Sequence, residues 1–170
     1  AVANFANGFF ITGAGECQYF NCRAVFNGAH GFNYTGAQTG SVFVSCTTDR
    51  NTRDGFHITA TGSESVVLFG FQARRDGHNG VLGGGGYAGN NIVGTALAPT
   101  CAVVINGLIE SSGVNDDGSG PLTPQYGVSS MFCSFLSVQG NLWGTTSAWQ
   151  DGGGNGAVRF SSTNWYSTGN

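Results

Sequence analysis

A small residue, nearly always glycine, precedes a short apolar strand at seven places in this chain, and the spacing hardly varies. The anchors are Gly8, Gly31, Gly55, Gly80, Ala102, Gly127 and Gly156, separated by 23, 24, 25, 22, 25 and 29 residues. A fixed period of this size marks units that cannot bury an apolar face alone and must stack on their neighbours. In Asn7-Gly8-Phe9-Phe10-Ile11, His30-Gly31-Phe32-Asn33-Tyr34 and Asp54-Gly55-Phe56-His57-Ile58, a polar residue plus glycine suits a tight turn. Strand-forming residues follow, then a Gly/Thr/Ser break and a second apolar run such as Ser41-Val42-Phe43-Val44. No stretch of about ten residues carries helical periodicity. The spacing predicts one all-β domain over residues 1–170, a parallel solenoid of about seven coils.

In-register stacking makes a second prediction, that residues at one offset from the anchor form a column. Cys22, Cys46 and Phe71 each sit nine before the next anchor glycine, and Val93 sits nine before Ala102. That is an expected apolar column through four coils.

Charge is scarce. Charged residues make up 9% of the chain and lysine is absent, against roughly 25% charged in an ordinary soluble domain. The runs Val66-Val67-Leu68-Phe69 and Val42-Phe43-Val44 do not alternate, so both faces of those strands are expected to be covered. A solenoid interior covers one face, and other copies of the chain would cover the second. A net charge of −3 argues against nucleic acid as the main partner.

The apolar stretches fall far short of the ~20 residues a membrane span needs, so no membrane insertion is expected. The first coil starts almost at once without a polar cap, so the chain reads as a processed product or part of a longer polypeptide. Five cysteines (Cys17, Cys22, Cys46, Cys101, Cys133) include no CxxC pair and no Cys/His cluster. They read as small buried hydrophobes, with no metal site and no cofactor.

The units Asp54-Gly55-Phe56-His57-Ile58, Gly62-Ser63-Glu64-Ser65-Val66-Val67-Leu68 and Arg75-Asp76-Gly77-His78-Asn79-Gly80-Val81 resemble the right-handed parallel β-helix of the pectin-lyase-like superfamily. They look most like the β-helical bodies of bacteriophage tailspikes and tail fibres. That resemblance implies a homotrimer on a virion tail, or another extracellular setting, that binds and in some members depolymerises bacterial surface polysaccharide. The superfamily also holds non-catalytic adhesins and free-standing lyases and epimerases, and these two readings stay open. Fold does not fix activity.

Eight of the fifteen charged residues lie between 49 and 76. Arg50 and Arg75 are both five before an anchor, Asn51 and Asp76 four before, and Arg53 and His78 two before. These residues are expected along one edge of two adjacent coils. Arginine suits carboxylate-bearing sugars through bidentate contacts, so Arg50, Arg53, Arg75 and His78 are the expected substrate-binding groups. Glycoside hydrolysis needs two carboxyls roughly 5–9.5 Å apart, for which Asp54 and Asp76 are the expected acid and base. A second set is Asp116 and Asp117 with Glu110. The loop Asp116–Gly120 also suits a turn or a weak Ca²⁺ site. Trp143 and Trp149 are expected as a platform on which sugar rings stack, or as a packed aromatic plug.

Overall fold

The computed structural model of the protein describes residues 1–12, 15–36, 40–60, 65–74, 76, 92–95, 102–110, 113–114, 121–122, 126–131, 135–143, 147–151 and 156–166. Among them the only regular elements are strands, numbered here in chain order. A six-stranded parallel sheet runs β1 (Phe9–Thr12), β4 (Phe32–Gly36), β7 (Phe56–Ala60), β9 (Ile92–Thr95), β13 (Tyr126–Met131) and β15 (Ser147–Asp151). An eight-stranded sheet runs β2 (Cys17–Phe20), β5 (Ser41–Val44), β8 (Ser65–Arg74), β10 (Ala102–Glu110), β14 (Phe135–Trp143) and β16 (Ala157–Tyr166). Two short strands, β3 (Arg23–Val25) and β6 (Thr47–Asp49), join that sheet beside the second half of β8. A two-stranded antiparallel pair, β11 (Gly113–Val114) and β12 (Pro121–Leu122), stands apart. No helix among the described residues is long and apolar enough to cross a membrane.

Side-chain alternation decides which face goes inward. Phe32 and Tyr34 in β4, Phe56 and Ile58 in β7, Phe43 in β5, and Val66 and Leu68 in β8 are all fully buried. Within a sheet the rings stack flat, as Phe9 does on Phe32 (4.7 Å) and Tyr19 on Phe43 (4.5 Å). Between sheets they meet edge to face, as Phe43 meets Phe56 at 4.6 Å. Each buried ring contributes about 1.5–3 kcal/mol of apolar burial. Gly70, at φ +59°, is the extra residue opposite the Asn106/Gly107 step, a β-bulge that returns Phe71 and Ala73 to the inner face.

The expected right-handed parallel β-helix of about seven coils is corrected by this topology. The described residues form two parallel sheets, one a half-barrel, and seven equivalent coils are not present. The short period holds at the start and returns in the last step of each sheet, Val128 to Trp149 (21 residues) and Phe135 to Ala157 (22 residues), but is lost between them. In the six-stranded sheet Phe9 pairs with Phe32 and Phe32 with Phe56, steps of 23 and 24 residues. Phe56 then pairs with Ile92, and Ile92 with Val128, steps of 36. Ala102 and Gly156 precede or open strands of the other sheet, opposite Ser65 and beside Phe135, so they are not equivalents of Gly31. Gly80 lies outside the described residues. The apolar column survives through Cys22, Cys46 and Phe71, whose flanking residues pair in register. Val93 leaves it, because it pairs with His57 in the other sheet.

Candidate functional site

The anchor glycines are small for a reason other than the turn proposed from sequence. Neither Gly8 nor Gly31 has positive φ. A Cβ on Gly31 would lie 2.5 Å from Gly55 O and 2.8 Å from Asn51 Nδ2, and one on Gly8 would lie 2.7 Å from both Gly31 O and Asn27 Nδ2. Successive segments press so closely that only hydrogen fits. That contact locks the register and puts residues at equal offsets in line.

Four residues before the first four anchors this produces a polar ladder, buried from Asn27 onward. Asn4 donates its backbone N–H (3.1 Å) and Nδ2 (2.9 Å) to Asn27 Oδ1, and Asn27 donates the same pair to Asn51 Oδ1 at 3.1 and 2.7 Å. Asn51 repeats the pattern onto Asp76 Oδ1 at 3.0 and 2.7 Å. Thr48 Oγ1 donates to Asp76 Oδ2 at 2.6 Å. Asp76 is wholly buried, and loss of water pushes its carboxyl up to about 8, against the opposing pull of the Thr48 and Asn51 hydrogen bonds. It is the last rung among the described residues and is neutral over the acid and neutral range.

One residue before each anchor the column is Asn7, His30 and Asp54. Asn7 Oδ1 accepts from the His30 backbone N–H at 3.1 Å. Asp54 Oδ2 receives His57 Nδ1 at 2.8 Å, and His30 Nδ1 lies 3.0 Å from the same oxygen. The His30 contact is off the hydrogen-bonding direction, and this buried nitrogen has no hydrogen-bond partner. The two imidazoles stack at 4.2 Å with planes 23° apart. His57 is the open member, its side chain 23% exposed against 3% for Asp54. A carboxylate on Nδ1 fixes the imidazole's orientation and leaves Nε2 to face outward chemistry. These three residues are also a group of metal-ligating side chains, with one ligand atom from each within 4.8 Å of the others.

Five before the anchor the chain turns through the left-handed region, at Phe26 (φ +56°) and Arg50 (φ +53°). The turn swings both side chains to one corner, where Arg50 Cζ lies 5.1 Å from the centre of the Phe26 ring. Arg50 Nη1 also lies 3.3 Å from Asp49 Oδ2. Arg53 is exposed on the same segment, its backbone N–H bonded to Ala29 O at 3.0 Å.

The expected residues are therefore distributed as follows. Arg50 and Arg53 stand three residues apart on one segment. Asp54 and Asp76 are each buried, on different partners. Arg75 and His78, like Asp116, Asp117 and Gly118–Gly120, lie outside the described residues. Trp143 ends β14 in register with Glu110 and Tyr166, and Trp149 lies in β15 in register with Val128. The two tryptophans thus belong to different sheets. His30 was missed, although it and Asp54 stand at one offset and the same arithmetic that aligned Arg50 with Arg75 aligns them.

No protein-family model and no solved structure matches the chain.

Proposed function

We propose that this protein binds acidic bacterial surface polysaccharide, as a receptor-recognising component of the tailspike or tail-fibre kind acting outside the host cell. The observation that carries the reading is the corner where the Phe26 ring carries the Arg50 guanidinium, with exposed Arg53 three residues on. Arg50 itself is held on Phe26 and against Asp49 with its side chain 11% exposed, so it builds the corner, and exposed Arg53 is the cation that suits a uronate-like sugar's carboxylate. Burial of Asp54 and Asp76 favours binding over cleavage by that pair.

Association of copies fits the same reading. Phe20, Val44 and Phe69 stand in register on the outer face of the eight-stranded sheet, and both phenylalanines are 57% exposed. An apolar ridge of this kind supports the association of copies expected from composition, which the tailspike resemblance would make a homotrimer.

Titration of anionic and neutral bacterial polysaccharides into the protein tests the reading. Anionic chains should bind, Arg53→Ala should weaken binding about tenfold, consistent with ~1.4 kcal/mol for that contact, and neutral chains should not bind. Equal affinity for neutral chains, or none for anionic ones, overturns it. Unsaturated uronate or new reducing ends in the mixture would add a catalytic activity.

A further inference from the structure

We infer that His30, Asp54 and His57 form a binding site for a divalent transition-metal ion, with zinc the best match. Two observations point there independently. His30 Nδ1 and His57 Nδ1 lie 3.0 and 2.8 Å from the same Asp54 Oδ2. Ligand atoms around a tetrahedral ion with bonds of ~2.0–2.1 Å stand ~3.3 Å apart, and the three atoms here all lie within 4.8 Å of one another, so a turn of the stacked imidazoles toward Asp54 admits the ion. His30 is more than nine-tenths buried, and its Nδ1, although 3.0 Å from Asp54 Oδ2, makes no hydrogen bond. An unpaired buried nitrogen is costly, and a metal bond would satisfy it.

A second such atom stands nearby in the fold. Asn33 is the register partner of His57 across β4 and β7, and its buried Oδ1 also has no hydrogen-bond partner.

Two imidazoles and one carboxylate select the ion. Nitrogen donors suit zinc, copper, nickel or iron over magnesium or calcium, which want oxygen alone. Three protein ligands leave a coordination position free, and the partly exposed His57 marks the solvent side. The ion would tie the segment before β4 to β7, so it would stabilise the folded chain by mass action.

The test is titration of the full chain with zinc chloride after the accessible thiols are alkylated, followed by cobalt substitution. The expected result is one ion per chain, a raised melting temperature, and visible absorption of a four-coordinate cobalt centre without a thiolate charge-transfer band. His57→Ala and Asp54→Asn should each lower affinity by more than about tenfold, since a lost ligand costs at least what a lost supporting contact does. Absence of stoichiometric binding overturns the inference. So does a thiolate band, or undiminished binding in both variants. The cobalt spectrum of the unaltered protein decides the matter even if a variant fails to fold.

Discussion

Asn51 donates two hydrogen bonds, from its backbone N–H and from Nδ2, to a single oxygen of Asp76, and both residues are fully buried. The same residue accepts two from Asn27. It is therefore a relay in the middle of a polar column, and its removal strands groups on both sides.

Asn51→Ala should lower stability by at least about 3 kcal/mol, because two donors of Asn27 and the Ala24 carbonyl lose their partners, while Asp76 keeps the backbone N–H, and each stranded group costs ~1–3 kcal/mol. Urea unfolding followed by circular dichroism measures it. A loss below about 1 kcal/mol would mean that the column contributes little.

Gly31→Ala and Gly70→Ala should differ in mechanism and size. At Gly31 the added methyl meets a backbone oxygen and the ladder amide, both below 3.0 Å. Overpacking of that kind costs ~1–3 kcal/mol or more. At Gly70 space is open, with Ser45 Oγ the nearest atom at 3.6 Å, and only the positive φ opposes a side chain, costing ~1–2 kcal/mol. The comparison is read from melting temperatures of the two variants, Gly31→Ala falling further.

Thiol labelling should separate the described cysteines. Cys17, Cys22 and Cys46 are all free, but Cys46 is fully buried and desolvation pushes its thiol up to about 11. Reaction needs the thiolate, so mass mapping after brief alkylation should find Cys17 and Cys22 modified before Cys46. Early modification of Cys46 would contradict the packing around it.

Phe69→Asp should turn the associated protein into a single copy, since it places a charge on the exposed ridge with Phe20 and Val44. Light scattering should give a trimer before the change and a monomer after it. An unaltered protein that is already monomeric removes the ridge as a subunit contact.

The all-β character and the first three stacked segments were legible because Gly8, Gly31 and Gly55 keep both spacing and flanking polar residues. The later architecture was not, because steps of 36 residues carry no constant-interval signal, and Ala102 and Gly156 mimic anchors while serving the other sheet. Among site residues, the offsets aligned Asn51 with Asp76, but a polar column reads alike whether it points to water or inward. Only the fully buried state of Thr48, Asn51 and Asp76 distinguishes the two. His57 was seen as part of a charged span, and His30, far from it in sequence, was overlooked.

The central claim is that Asp76 is the last described rung of the ladder and is held there as a neutral acid. Unfolding free energy of the protein and of Asp76→Asn, measured from pH 4 to pH 9, tests this most directly. Asn supplies the same acceptor to Asn51. The folded carboxyl titrates near 8 and the unfolded one near ~3.9, so the unfolded chain releases its proton first as pH rises. The unaltered protein should then lose about 1.4 kcal/mol per pH unit relative to the variant across that window, and none beyond it. Parallel curves, or a relative gain in stability with rising pH, would contradict the account.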